Sequence, residues 1–410
     1  MVAHAGKRSR RRYVYAWSLL LALIAAQTVA SGSTWVAGVR VPKNYKVTKS
    51  QRVASGVWHI ELRRKNRDQV INIARIERSS PHRLKVVLSN GLVAGPEPRT
   101  ETTSRMCKRV DCLLAVNGDY FSDGVPVGGV VSEGEPMRSP AGGRKQFSLA
   151  ADETPSIATM SMATSLVTFH RRIATGFKLL APPSTLEPHT TTVAGVNVPR
   201  PPDGIVLFTP RWGATTGTKT GYEIVARVVS PSGRLATDVD TTLELVDART
   251  KGGKIPKDGV VLSGRGDGAT TLAELWNEVS AGKAERNATL RVAASPAALQ
   301  SVAGKEVLVQ KGKIVATTKS SRAPRTMIGW NAAGDMLLVT ADGRQPGRAY
   351  GFTLIEAADL MRRLGAVEAL NLDGGGSTTF VKKGKVVNRP SNSGRHERRV
   401  AVAVAIVPAA

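Results

Sequence analysis

The sequence of 410 residues predicts a strand-rich α+β fold, with mixed sheets, a few helices and a single domain after the N-terminal segments. Three observations support this prediction. Apolar and polar residues alternate with a period of two over much of the chain, as in strands with one buried face. Only three segments have the spacing of an amphipathic helix. Strands and helices do not alternate strictly, which argues against a doubly wound fold.

The first thirty residues have the pattern of a secretory signal peptide. Five basic residues precede the apolar segment 13–26, which is too short for a comfortable membrane span. Small residues follow, and Ala30 is the predicted last residue before cleavage. We therefore expect a protein that is secreted or associated with the cell envelope. An uncleaved anchor is the alternative. Residues 31–55 are predicted to be a linker.

The main domain is predicted over 56–408 and begins with alternating segments that we expect to be strands, "GVWHIELRR", "QVINIARIER" and "RLKVVLSN". A short helix is predicted at 98–110, and "CLLAVNGDYF" then reads as a buried strand that runs into a turn. The middle region, 161–310, alternates strand-like runs with proline- and glycine-rich connections and contains one helix at 270–282. It either folds into the main domain or forms a strand-rich subdomain.

The last hundred residues are the most regular. "TMIGWNAAGDMLLVTADG" predicts a hairpin, and a helix follows at 353–365. Thr353 and Glu356 form a capping box at its start, which explains Glu356 better than a role as acid or base, and Gly365 occupies the C-terminal cap position. "AVEALNLD" is a predicted buried strand that ends at Asp373. A hairpin, "TTFVKKGKVVN", and a core strand, "RRVAVAVAIV", complete the domain.

The chain is strongly basic, with 58 Lys and Arg residues against 32 Asp and Glu, for a net charge of +26. Without the five charges of the signal segment the balance is 26 − 5 = +21. This charge either solubilises the protein or attracts an anionic partner. For an exported protein we expect an anionic cell-envelope polymer or lipid. Nucleic acid is not expected, because there is no recognition motif and only 5% of residues are aromatic.

The only two cysteines are Cys107 and Cys112. Export favours a disulfide between them, which would connect a helix end to the next strand, and two buried free thiols are the alternative. Two cysteines and six scattered histidines give no metal-ligand spacing, so no metal site is predicted.

The segment "NLDGGGSTT" combines a carboxylate at a strand end with an unusually bare backbone. The N–H groups of Gly374, Gly375 and Gly376 could form an anion-binding nest, and the Ser377 and Thr378 hydroxyls add donors. The segment lacks the Gly-Lys-Ser/Thr of a P-loop and the second glycine of a nucleophile elbow. The alternative to a ligand site is an irregular turn capped by the aspartate.

Other polar side chains lie at predicted strand ends. Asn117 and Asp119 follow one buried strand, and Arg325, Asp342 and Arg344 lie at the ends of the hairpin strands. Arginines in such positions can bind an anionic group through two hydrogen bonds. Taken separately, Asn117 and Asp119 are better explained by an Asx-turn, and Arg325, Asp342 and Arg344 by surface salt bridges.

In combination these motifs resemble the phosphodiester glycosidase family, relatives of the "uncovering" enzyme that removes N-acetylglucosamine from a sugar phosphodiester. The resemblance spans roughly 56–407 and rests on "AVNGDYF", "VVLSG", "RTMIGW", "LLVTADGR", "GFTLIEAADLMRRLGA", "NLDGGGSTT" and "ERRVAVAVAIV".

The resemblance implies hydrolysis of the bond between the anomeric carbon of a sugar and a phosphodiester oxygen. Together with the predicted export and the basic surface, it leads us to expect a phosphate-containing glycan of the cell envelope as substrate. Asp373 and Asp342 are then the expected catalytic carboxylates, with acid and base not distinguished. No cofactor is expected, although converging carboxylates would be compatible with a divalent metal. A non-catalytic protein that binds anionic envelope polysaccharide is the alternative. The expected substrate-binding residues are Asn117, Asp119, Arg325, Arg344, Gly374, Gly375, Gly376, Ser377 and Thr378.

Overall fold

The computed structural model describes residues 34–64, 68–171, 186–229, 233–318 and 320–409. The predicted signal peptide, 1–30, lies outside these residues. The described helices are α1 (Thr103–Arg109), α2 (Asp267–Ser280) and α3 (Leu354–Arg363). The described strands are β1 (Thr34–Val36), β2 (Val39–Val41), β3 (Tyr45–Ala54), β4 (Val57–Arg64), β5 (Val70–Ile76), β6 (Arg83–Leu88), β7 (Glu101–Thr102), β8 (Leu114–Asn117), β9 (Phe121–Ser122), β10 (Val125–Pro126), β11 (Val130–Ser132), β12 (Glu135–Arg138), β13 (Lys145–Leu149), β14 (Pro155–Thr159), β15 (Ser161–Arg171), β16 (Leu186–Val193), β17 (Gly204–Phe208), β18 (Tyr222–Val229), β19 (Asp240–Arg249), β20 (Gly259–Arg265), β21 (Ala284–Ser295), β22 (Gln300–Ala303), β23 (Glu306–Gln310), β24 (Lys313–Ile314), β25 (Arg325–Asn331), β26 (Met336–Ala341), β27 (Ala366–Asn371), β28 (Phe380–Lys382), β29 (Lys385–Val386), β30 (Arg399–Val400) and β31 (Val402–Val407).

The fold is a mostly-β α+β fold, as the alternating sequence pattern predicts. Its largest sheet has eight strands in the order β24-β23-β27-β25-β26-β5-β4-β3. Along β25 and β26 the alternation sends successive residues to opposite faces. Ile328 and Leu338 join a core shared with the five-stranded sheets β29-β28-β8-β31-β6 and β12-β11-β22-β13-β14, whereas Met327 and Leu337 pack on the other face with α3. The central strands are therefore covered on both faces.

The predicted linker is wrong where the structure describes it. Residues 34–54 form β1, β2 and β3, and β3 pairs antiparallel with β4 at the edge of the eight-stranded sheet. Val41 and Tyr45 are buried in the core beside α3. The polar residues that made this stretch read as a linker occupy the exposed positions of an edge strand, where charge is expected.

The middle region forms a sheet of its own. Its seven strands are ordered β16-β15-β21-β19-β18-β20-β17, and α2 covers one face. Leu272, Leu275 and Val279 of α2 pack into a core made only of residues between 166 and 292. This sheet therefore has the internal packing expected of the strand-rich subdomain that the sequence left open.

Local signals in the sequence match the structure at two places. Thr353 and Glu356 make both hydrogen bonds of the capping box at the start of α3. Cys107 and Cys112 form the predicted disulfide, which joins the end of α1 to the segment before β8. Among the described helices, none is both long and apolar enough to cross a membrane.

Candidate active site

The predicted site segments meet where the eight-stranded sheet packs against the sheet that contains β8. Strands β25 and β27 are neighbours, and the Asp373 N–H donates to the Gly118 carbonyl just beyond β8 at 3.0 Å. The Leu372 N–H donates to the Thr326 carbonyl at 2.9 Å. The end of β27, the start of β25 and the end of β8 therefore lie together, although they are far apart in sequence.

Asn117 connects these three strand ends. Its Nδ2 donates to the Asp373 carbonyl at 2.7 Å, and its Oδ1 accepts from Thr326 Oγ1 at 2.7 Å and from the Thr379 N–H at 3.1 Å. The side chain is fully buried. Asn117 was predicted to bind substrate, and these contacts instead make it a support for the glycine loop, residues 374–378.

Each of the three glycines in the loop is explained by a different close contact or backbone angle. A Cβ on Gly374 would lie 2.7 Å from the Pro324 carbonyl oxygen, and Gly375 has a φ of +60°, which disfavours other residues. A Cβ on Gly376 would lie 3.0 Å from Arg398 Nη2. The bare backbone therefore accommodates a neighbouring carbonyl, a left-handed turn and a guanidinium.

Few N–H groups of the glycine loop remain for the predicted anion nest. The Gly375 N–H donates to the Pro324 carbonyl at 2.9 Å, Ser377 to Gly374 at 3.1 Å and Thr378 to Gly375 at 3.3 Å. The Gly374 N–H acts on the Asp373 carboxyl and lowers its pKa. The buried Ser377 and Thr378 hydroxyls also contact protein groups. Anion binding at this loop therefore depends more on neighbouring arginines than on backbone N–H groups.

Asp373 is only partly buried at the edge of the loop. Burial raises the pKa of its carboxyl, while hydrogen bonds from Ser377 and the Gly374 N–H and the charges of Arg398 and Arg144 lower it in part. A carboxylate that is held by donors and near two cations, yet remains partly accessible, has the surroundings of a catalytic group.

Arg144 and Arg398 lie near Asp373, and the sequence analysis did not predict them as site residues. Arg398 Nη1 approaches Ser377 Oγ at 3.5 Å. The Arg144 guanidinium carbon lies 5.1 Å from the ring centre of Tyr120, and the buried Nη1 of Arg144 makes no hydrogen bond with the described residues. Both arginines immediately precede strands, in "GGRKQF" and "ERRVAV", a position that could have identified them.

Two predicted arginines differ in their availability. Arg344 is exposed, and its Nη1 would lie 3.3 Å from a Cβ on Gly375, so it borders the glycine loop. Arg325 is partly buried and donates to the Phe352 carbonyl at 2.9 Å and to the Ser321 carbonyl at 3.0 Å. Burial lowers the pKa of its guanidinium. Arg325 therefore already binds backbone oxygens, while Arg344 presents its charge to solvent.

Asp119 is almost fully enclosed. Its Oδ2 accepts from the Gly128 N–H at 2.7 Å, while its Oδ1 has no hydrogen-bond partner among the described residues. Burial raises the pKa of this carboxyl to about 7, against the opposing effects of the Gly128 N–H and the Arg144 charge, and the nearby Asp373 carboxylate raises it further. Asp119 is thus set to hold a proton near neutral pH.

Tyr120 completes this side of the site. Its hydroxyl accepts a hydrogen bond from Asn371 Nδ2 at 3.0 Å. Burial and the charge of Asp373 raise the pKa of Tyr120 to about 12. The phenol is therefore neutral and can donate a hydrogen bond beside Asp373.

Asp342 is held on all sides by protein groups. Its Oδ2 forms a 2.7 Å salt bridge with Arg348, its Oδ1 accepts from Asn388 Nδ2 at 3.0 Å, and its side chain is 0% exposed. Asn388 also donates to the Thr378 carbonyl at 3.2 Å, which links Asp342 to the glycine loop. Burial raises the pKa of Asp342, opposed by Arg348 and Asn388. Its catalytic role stays a prediction, and direct contact with substrate would require these bonds to open.

The described residues contain no group of three or more His, Cys, Asp or Glu side chains arranged to hold a metal ion. The acidic residues of the site are instead surrounded by arginines and amides. The arrangement favours an anionic ligand beside the carboxyls of Asp373 and Asp119, which differ in pKa.

Comparison with known proteins shows which family this part of the chain resembles. The model of the phosphodiester glycosidase family matches residues 226–407. N-acetylglucosamine-1-phosphodiester alpha-N-acetylglucosaminidase from Mus musculus is 39% identical over 87 residues, a match that covers 20% of this chain and 16% of the mouse protein.

Solved structures show a similar fold over most of the chain. A hypothetical protein from Synechocystis has a TM-score of 0.59 at 21% identity, covering 90% of this chain and 69% of its own. A candidate exported protein from Burkholderia pseudomallei has a TM-score of 0.57 at 23% identity, covering 85% and 74%. The family match over 226–407, which includes the glycine loop, and the partial match to the mouse enzyme support a relative of the phosphodiester glycosidase family in this part of the chain.

Proposed function

We propose that this chain is an exported glycosidase that hydrolyses the glycosidic bond of a sugar-1-phosphodiester in a phosphate-containing glycan of the cell envelope. The single observation that carries this proposal is the position of Asp373. It lies partly exposed just beyond the end of β27, at the start of the glycine loop, where Ser377, the Gly374 N–H, Arg398 and Arg144 all act to lower the pKa of its carboxyl. The N-terminal signal-like segment supports export.

The arginines suit the phosphate part of such a substrate. A phosphodiester carries a negative charge, and more charge develops on it as the bond to the anomeric carbon breaks. Arg344 and Arg398 border the glycine loop, and Arg144 has an unused donor. In the proposed mechanism these guanidinium groups stabilise the departing phosphate, so that cleavage needs less help from a strong acid.

The carboxyls suit the sugar part. Asp373 is proposed to stabilise the positive charge that forms at the anomeric carbon, or to activate the water that attacks it. Asp119 would supply a proton to the leaving phosphate, because its environment raises its pKa to about 7 and keeps it protonated below that pH. Since its side chain is enclosed, contact with the phosphate requires the segment around Gly128 to open. The C–O bond of the glycoside breaks, water adds to carbon, and free sugar and a phosphomonoester result. Asp342 is proposed to support the loop through Asn388.

The test incubates the purified protein with a panel of sugar-1-phosphodiesters and phosphate-containing envelope polymers, and it measures released sugar and phosphomonoester. Asp373→Asn should abolish release while substrate binding persists. Asp359→Asn, which changes a partly exposed carboxylate on α3, is the matched control and should retain activity. Binding without turnover by the wild type across the panel would instead support a non-catalytic polysaccharide-binding protein. Equal turnover by wild type and Asp373→Asn would refute the proposed site.

A further inference from the structure

Four lysines form a compact cationic surface next to the glycine loop, and we name it the lysine patch. Lys382, Lys383 and Lys385 lie on the hairpin of β28 and β29, and Lys49 lies on the edge strand β3. Lys382 Nζ donates to Gln51 Oε1, which joins the hairpin to β3. Lys49, Lys383 and Lys385 are exposed, while Lys382 is half-buried.

None of the four lysines of the patch forms a salt bridge with the described residues. Burial lowers the pKa of Lys382, and the charges of Lys49 and Lys383 lower it further, so the three cations are close enough to repel one another. Glu61 lies opposite Lys49 across β3 and β4, but its carboxylate is bridged to Arg63 at 3.2 Å. Uncompensated like charges in close proximity oppose folding and favour a bound anion.

The patch is continuous with the candidate active site. Phe380 begins β28 directly after the glycine loop, and its N–H donates to Asn388 Oδ1 at 2.8 Å. The same Asn388 donates to Asp342 and to the Thr378 carbonyl. Strand β28 therefore runs from the loop to the patch, with Lys382 at its far end.

The distance between the lysine patch and the glycine loop determines which ligands could contact both. Lys382 pairs with Leu114 of β8, three residues from Asn117, which holds the loop. At about 3.3 Å per residue, the patch begins about 10 Å from that point. A single phosphodiester bound beside Asp373 would not reach it, whereas a chain with repeated phosphates would.

We propose that the lysine patch is a second anion-binding surface, which holds further phosphates of a polymeric phosphodiester whose scissile linkage lies beside Asp373. This inference rests on the proposed function, because it deepens the nature of its substrate. Exposed apolar side chains help a protein to enter a lipid surface. The large exposed apolar residues among those described, such as Trp35 and Tyr350, lie outside the lysine patch. The surface therefore favours a polymer over a membrane.

The test uses inorganic polyphosphate as a probe that carries repeated phosphates but no glycosidic bond. Affinity is measured at about 0.15 M salt, where charges more than about 8 Å from the bound chain are largely screened. The triple variant K382Q/K383Q/K385Q should bind polyphosphate at least tenfold more weakly than wild type, by ~1.4 kcal/mol or more. The slope of log affinity against log salt should also decrease.

The matched control, K251Q/K254Q/K257Q, removes three exposed charges from the connection between β19 and β20 and should change affinity by less than about twofold. If the triple variant fails to fold, K383Q/K385Q replaces it in the test, because it keeps the half-buried Lys382 and should still weaken binding measurably.

Equal loss in the control, or none in the patch variants, would overturn the proposal. Tighter binding of phosphatidylglycerol vesicles than of polyphosphate, lost in the patch variant, would overturn it in favour of a membrane surface. Turnover of a monomeric sugar-1-phosphodiester by wild type separately decides the proposed function.

Discussion

The side-chain amide of Asn117 donates to the backbone carbonyl of Asp373 at 2.7 Å, so the last residue of β8 fixes the second residue beyond β27, a strand of the opposite sheet. The same side chain accepts from Thr326 and from the Thr379 N–H. One buried amide therefore sets the position of the candidate catalytic carboxylate and of the loop that follows it.

Removing this amide should destabilise the protein and disturb the site. Asn117→Ala breaks three buried hydrogen bonds and leaves the Thr326 hydroxyl, the Thr379 N–H and the Asp373 carbonyl without their partner. We expect a loss of about 3 kcal/mol in the free energy of unfolding, measured by urea denaturation. Asn287→Ala, at an exposed position of β21, should stay within about 0.5 kcal/mol of wild type. A loss as small as the control's would show that Asn117 does not support the loop.

The glycine loop should be sensitive at Gly376 in a way that ordinary turn glycines are not. Gly376→Ala places a methyl group 3.0 Å from Arg398 Nη2, so the guanidinium has to shift by a few tenths of an ångström relative to the loop. Because a group that stabilises developing charge must be accurately placed, we expect activity on a sugar-1-phosphodiester to fall by about threefold, with the melting temperature changed by only a few degrees.

Gly282→Ala provides the comparison, because Gly282 has a φ of +69° and open space around its Cβ position. It should cost about 1 kcal/mol of stability through backbone strain and leave activity unchanged. Retained activity in Gly376→Ala would show that Arg398 is not required beside the loop.

The sequence was sufficient for the fold class and for the local signals of the site. Strand periodicity predicts the hairpin of β25 and β26, and the capping box at Thr353 predicts the start of α3, because both depend on residues close in sequence. The glycine loop after Asp373 was found for the same reason. The anion nest predicted there was less accurate, because the Gly375 N–H already donates to the Pro324 carbonyl. That carbonyl belongs to a segment distant in sequence, which no local pattern brings next to the loop.

The remaining features depend on tertiary packing that no local pattern specifies. Arg144 reaches the site because it precedes β13, and Arg398 because it lies just before the closing strand. The enclosure of Asp119 arises where the segment after β8 meets Gly128. The edge strand β3 was mistaken for a linker because its exposed charges conceal the alternation of Tyr45 and Val47 with polar residues.

Arg398 should influence the proton affinity of Asp373. Its positive charge lowers the pKa of Asp373, so Arg398→Gln should let that pKa rise further. If Asp373 acts in its ionised form, the acidic limb of the kcat/KM profile should move to higher pH, and activity at pH 5 should decrease more than activity at pH 8. Arg105→Gln, an exposed change on α1, should leave the profile in place. A uniform loss of kcat/KM at all pH values would assign Arg398 to binding alone.

Asp119 should make the stability of the protein depend on pH in an unusual direction. Its pKa is raised from 3.8 to about 7, so between these values the native carboxyl keeps a proton that the unfolded chain has lost. The native state is favoured by this group at low pH, and that contribution declines as pH rises from about 4 to about 7, by up to about 4 kcal/mol.

Asp119→Asn keeps a neutral group beside the Gly128 N–H and removes the ionisation. The variant should therefore gain stability over wild type at pH 8 and show little difference at pH 4, measured by urea denaturation across that range. Its catalytic rate should lose the basic limb near pH 7 and stay low throughout, because an amide cannot supply the proton. A difference in stability that is the same at every pH would show that Asp119 ionises in the native state as it does in the unfolded chain.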